Sequence, residues 1–115
     1  MATKDEVQAF LQDFKAKLAV WGIVFRDQRG KNAQALLTLD ITPVYREKVL
    51  KELGVTDYNE GPREEKLYGG SHMWVFGKMI KNIEIYIKIT LGFCGKQVIC
   101  ISFHEAERPL NYPFK

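Results

Sequence analysis

Residues 73–103 read MWVFGKMI-KN-IEIYIKITL-GFCGKQ-VICISF, and this run decides the fold. Three β-branched and aromatic stretches (73–80, 83–91 and 98–103) are separated by two short connections. Such stretches are strands, and connections this short join them as an antiparallel meander. Lys81-Asn82 suits a tight turn, and the two glycines of 92–97 mark the next. Side chains alternate across a strand, so Ile83, Ile85, Ile87, Ile89 and Leu91 share one face, with Glu84, Tyr86, Lys88 and Thr90 on the other. The same alternation puts Ile99, Ile101 and Phe103 on one face of the third strand and Cys100, Ser102 and His104 on the other. The aliphatic face needs cover, because four isoleucines left in water cost several kcal/mol at about 25 cal/mol per Å². The first strand carries large apolar residues on both faces and does not orient itself.

The cover comes from the other half of the chain. Val7, Phe10, Leu11, Phe14 and Leu18 recur at helical spacing, and Thr3 with Glu6 three residues on is a capping box. Ile23-Val24-Phe25 is a short strand or part of the turn out of this helix. Asn32 can cap a second helix over Ala33 to Leu39. A third is punctuated by Thr42 at its N-cap, Pro43 at its first position and Gly54 past its end, with Val44, Val49, Leu50 and Leu53 as its apolar stripe. The whole is expected to be one α+β domain over 1–115, its N-terminal helices packed on one face of a C-terminal antiparallel sheet of three strands or slightly more. Residues 1–56 are read as mainly helical, 57–72 as a loop, 73–104 as the meander and 105–115 as an extended tail pinned by its aromatics.

Composition sets the outer bounds. The 115 residues are 46% hydrophobic and 27% charged, a globular rather than a disordered balance. No apolar run approaches the ~18 residues of a membrane helix, and Asp5, Glu6 and Gln8 stand where a signal peptide needs apolar residues. A cytoplasmic protein with free thiols at Cys94 and Cys100 is the expectation, with no membrane partner. Residues 1–72 hold eleven basic and eleven acidic side chains, while 73–115 hold six and three, so the net charge of +3 lies in the sheet-forming half. That excess permits a polyanion partner.

The open face of the sheet is where chemistry would sit. Tyr86, Lys88, Ser102 and His104 combine a phenol, an ammonium, a hydroxyl and an imidazole, the groups that suit phosphodiester cleavage. A cation offsets charge building on the phosphate, and histidine moves protons near neutral pH. Tyr68, Trp74 and Phe76 offer surfaces on which unpaired bases can stack, and Lys78 and Arg108 add positive charge. An exposed antiparallel face also carries Tyr, Lys, Thr and Ser simply because they suit strands and water. Cys94, Cys100, His72 and His104 lack the spacing of a metal site, and no metal or cofactor is expected. Cys100, in mid-strand, reads as a packed residue.

The ordered series Ala35-Leu36-Leu37 and Asp40, a helix, Leu53 and Asp57-Tyr58, a strand bearing Trp74, the YIKIT of Tyr86 to Thr90 and the ISFH of Ile101 to His104 resembles the MqsR-family toxins of bacterial type II toxin–antitoxin systems, within the wider RelE-like group of messenger-RNA interferases. The resemblance covers about residues 33–106. It implies a small RelE-like ribonuclease that cuts messenger RNA without a metal, the ribose 2′-hydroxyl attacking the neighbouring phosphate, and that is silenced by a cognate antitoxin protein. Tyr86 matches the family's functional tyrosine. The family's functional lysine after the final S-F falls at His104, an earlier lysine near Glu60, and a glutamine beside the strand tryptophan near Val75. The catalytic set expected is His104, Tyr86 and Lys88, with Lys78, Trp74, Tyr68 and Arg108 toward RNA. The alternative from another class is a non-catalytic module that docks a protein partner through its sheet face or tail.

Overall fold

Thr3 opens the first helix, α1 (Lys4–Trp21), through both bonds of the capping box: its amide donates to Glu6 Oε1 at 2.9 Å, and its Oγ1 accepts from the Glu6 amide at 3.2 Å. Gly22, at φ +83°, ends it. The computed structural model describes residues 1–27, 30–64, 67 and 71–115. After α1 come β1 (Ile23–Phe25), α2 (Lys31–Leu39), α3 (Pro43–Lys51), a 3-10 turn at Val55–Asp57, β2 (Tyr58–Arg63), β3 (Met73–Ile80), β4 (Ile83–Thr90) and β5 (Val98–Glu105). The fold is α+β, with a mixed five-stranded sheet in the order β1-β5-β4-β3-β2. β1 runs parallel to β5, and the other neighbours are antiparallel. The expected loop over 57–72 thus contains a strand: Tyr58–Arg63 adds to the free edge of β3, which its polar, Gly-Pro-bearing sequence did not announce. Lys81 and Asn82 form the tight turn between β3 and β4, both at positive φ.

Register sorts the two faces of the sheet. Trp74, Phe76 and Lys78 lie opposite Ile89, Ile87 and Ile85, while Val75 and Gly77 lie opposite Lys88 and Tyr86. The first set faces the helices. Val7, Phe10, Leu11, Phe14 and Leu18 of α1 are all buried there, and Phe10 stacks on Trp74 with centroids 4.7 Å apart. Leu50 of α3, Leu53 just beyond it, and Ala35 and Leu39 of α2 complete the same core.

Alternation fails at one point in β5. Lys88 pairs with Ser102 but Ile89 pairs with Cys100, so Ile101 is an extra, bulged residue. One extra residue inverts the parity of everything before it. Cys100 therefore joins the helix-side core beside Ile89, and Ile99 lies opposite Thr90 on the other side, the reverse of the simple alternation. Cys100 is fully buried, and burial pushes its thiol well above the ordinary range. It is a packing residue.

Two expectations about the helices change. Asn32 does not cap α2: Gly30 holds the N-cap position, and Asn32 lies inside the first turn with its side chain turned onto the sheet. Its Nδ2 donates to Ile101 O at 3.0 Å and Arg26 O at 3.1 Å, while its Oδ1 accepts from the Phe103 amide at 2.9 Å. β1 stops at Phe25, and this amide satisfies the edge of β5 beyond it. In α3, Thr42 caps as expected, accepting from the Tyr45 amide. Val44, however, is exposed, and Arg46 takes the buried position. The Arg46 guanidinium lies 3.5 Å from the Phe25 ring centroid and reaches both oxygens of Asp27, at 2.9 and 3.1 Å. Ring stacking and a paired carboxylate make that burial tolerable.

Candidate functional site

Strand pairing builds the open face in rows. Glu60 of β2, Val75 of β3, Lys88 of β4 and Ser102 of β5 form one, and Gly77, Tyr86 and His104 the next. The Tyr86 and His104 rings stack with centroids 5.5 Å apart and planes at 21°. The Lys88 ammonium lies 5.7 Å from the Tyr86 ring centroid. His104 and Lys88 come from neighbouring strands, so backbone hydrogen bonding holds their spacing.

The tail forms the opposite wall. Beyond β5 the chain turns back over the open face, where the Leu110 amide donates to Glu84 Oε1 at 3.0 Å and the Tyr112 hydroxyl to Glu84 Oε2 at 2.7 Å. Gly77 leaves room for this crossing, since a Cβ there would lie 2.2 Å from the Tyr112 hydroxyl. Asn59 Nδ2 donates to Asn111 O at 2.8 Å, and Phe114 rounds the sheet edge to stack on Tyr58 at 5.4 Å. Tail and sheet enclose a cleft of about 590 Å³. Tyr86, Lys88, Ser102 and His104 floor it, and Glu60, Glu107 and Arg108 border it.

Electrostatics assign protonation. Burial first, then the Glu60 carboxylate, raise the Tyr86 phenol above its ordinary value, so it stays protonated and can donate. His104 Nδ1 lies 3.0 Å from Glu105 O. A carbonyl only accepts, so Nδ1 is the donor in this contact and Nε2 is the ring nitrogen that can accept. Glu107 pairs with Lys31 of α2, and that bond lowers its carboxyl below the ordinary range. Among the described residues no three His, Cys, Asp or Glu side chains gather as a metal cluster, and no helix is long and apolar enough to cross a membrane.

The structure brings together four of the seven residues singled out from sequence: His104, Tyr86, Lys88 and Arg108 all line this cleft. Trp74 does not join them. It points to the helices, 9% exposed against Phe10, and Phe76 beside it is fully buried, so neither ring is available to a base. Lys78 also lies on the helix side, opposite Ile85, where its ammonium meets Asp57 Oδ2 at 3.2 Å. The odd apolar parity of β3 hid both placements until pairing with β4 resolved it. Tyr68 lies outside the described residues. Sequence reasoning missed the wall of the cleft, because Glu84 and Tyr112 meet across 28 residues without a local signal. No protein-family model, curated protein or solved structure matches the chain.

Proposed function

We propose that this protein is a metal-independent endoribonuclease, an RNA-cleaving toxin of the RelE-like kind that the MqsR resemblance implies. The observation that carries the reading is the stacked Tyr86–His104 pair on the cleft floor with the Lys88 ammonium alongside. Tyr86 and His104, which the resemblance matches to functional residues, pair directly across β4 and β5. Glu60 and Val75, which stand where the family has a lysine and a glutamine, lie in the adjacent row of the same face.

The chemistry follows from the protonation states. His104 Nε2 takes the proton from a ribose 2′-hydroxyl, whose oxygen attacks the adjacent phosphorus. The bond from phosphorus to the 5′-oxygen breaks, leaving a 2′,3′-cyclic phosphate and a 5′-hydroxyl. The neutral Tyr86 phenol gives its proton to the departing 5′-oxygen, and the proton taken up by His104 restores the phenol. Lys88, with Arg108 at the border, offsets charge on the phosphorane. On this reading the substrate is messenger RNA in the cytoplasm, and a cognate antitoxin protein keeps the enzyme silent.

Purified protein incubated with a defined transcript, with and without EDTA, tests this. Cleavage unaffected by EDTA and ending in cyclic phosphates is expected. His104→Ala should cut the rate by about 10²–10⁴-fold while leaving the melting temperature unchanged. A second reading, a non-catalytic protein-docking module, is favoured by the Glu60 and Glu107 carboxylates that border the cleft. Intact RNA and unimpaired growth on induced expression would count against the ribonuclease and favour this reading.

A further inference from the structure

His104 borders a second hollow besides the catalytic cleft. This one, of about 520 Å³, opens between α2 and the end of β5. Its floor is apolar, from Ala35, Leu39 and Ile83, and its border is polar, from Gln34, Thr38 and Glu105. Gln34 and Thr38 project from successive turns of α2, with the Gln34 amide donating to Thr38 Oγ1 at 3.2 Å. A smaller recess lined by Lys31, Asn32, Ser102 and His104 lies beside both. The Lys31–Glu107 ion pair joins α2 to the tail where the hollows meet, Lys31 bordering one, and Glu107 both.

An apolar floor with amide, hydroxyl and carboxylate groups around it matches a nucleobase, which has π-faces to cover and donors and acceptors at its edge. Amide and carboxylate side chains discriminate among bases by such edge contacts. At the junction, an ammonium already held by a carboxylate can exchange that partner for a phosphate, which also accepts charge-assisted bonds.

We infer that the α2–β5 hollow is a base-specificity subsite, holding the nucleobase next to the cleaved bond while Lys31 leaves Glu107 for the intervening phosphate. The inference rests on the ribonuclease reading and extends it by naming the residues that read the RNA. Gln34, Thr38 and Glu105 face the base edge, and Lys31 serves as an exchangeable phosphate ligand.

The test uses the full chain and two probes. One is a labelled 2′-O-methyl hexaribonucleotide of mixed sequence, which binds but cannot be cleaved; the other is a random RNA pool whose cut ends are sequenced. Thr38→Trp, at an exposed position, fills the hollow and should weaken hexamer binding about tenfold, the value of one base contact, with the melting temperature unchanged. Gln34→Ala should change the base preference at one position beside the cut. Wild-type hexamer affinity in Thr38→Trp, with unaltered preference in Gln34→Ala, would overturn the subsite and leave the ribonuclease standing. Hexamer binding lost in Thr38→Trp, with no RNA cut by the wild type, would keep the subsite and remove the ribonuclease. A wild-type protein that binds no hexamer at low salt would refute both.

Discussion

The two faces of the sheet are made from the same strands, yet they are covered by different means. On one, Trp74, Phe76, Ile85, Ile87 and Ile89 meet a whole helix in one buried, apolar and partly aromatic cluster. On the other, Tyr86, Lys88 and His104 stay partly exposed, and the cover is a single extended strap held by Glu84 and by Phe114 stacking on Tyr58. Helix cover uses area and tolerates no gap, whereas strap cover uses a few directed bonds and leaves a cleft beside them. One side supplies the stability that lets the other keep polar side chains at a partly exposed surface.

Substitutions on the two faces should therefore separate cleanly. Phe76→Ala, on the helix side, is expected to cost about 3–5 kcal/mol in denaturant unfolding through the cavity it leaves under α1. A loss no larger than that of His104→Ala would erase the distinction between the faces. Asn32→Ala is expected to cost about 1–3 kcal/mol, because it strips the Phe103 amide and two carbonyls of their buried partner at the sheet edge. Hydrogen exchange should then rise first at Phe103, and unchanged protection there would deny the edge role.

The smallest effect belongs to the strap. Tyr112→Phe should lose about 1 kcal/mol at neutral pH through the Glu84 bond. Burial and that hydrogen bond raise the Tyr112 phenol above its ordinary value of 10.0, and burial raises Tyr86 as well. The unfolded chain ionises these phenols first, so their contribution is complete below pH 10 and is lost as pH rises beyond it. Thermal unfolding across that range should show stability falling with pH in the wild type and falling less steeply in Tyr112→Phe. Equal slopes would mean that the strap is not held through this phenol.

The helix-side face was readable because its pattern is local and redundant. The stripe Val7, Phe10, Leu11, Phe14 and Leu18 and the isoleucines at every second position of β4 each repeat one instruction several times. The open face was readable only where alternation was clean, at Tyr86, Lys88, Ser102 and His104. It was misread at Trp74 and Lys78, where β3 is apolar on both sides and only its register with β4 chose a direction. Ile99 and Cys100 were misplaced because one bulged residue has no signature in composition. Asn32 read as a helix cap and Val44 as part of the α3 stripe, whereas Asn32 and the buried Arg46 found partners far along the chain.

By itself the chain specified what depends on near neighbours: helices from periodicity and caps, strands from alternation, and a phenol and an imidazole sharing one side. Tertiary structure decided what depends on contacts between distant segments. These are the fifth strand at the β3 edge, the parity switch in β5, and the strap from Glu107 to Phe114 that turns a flat sheet surface into a cleft. The reason is loop closure: which remote groups meet depends on how every intervening element packs, and no short stretch of sequence carries that sum.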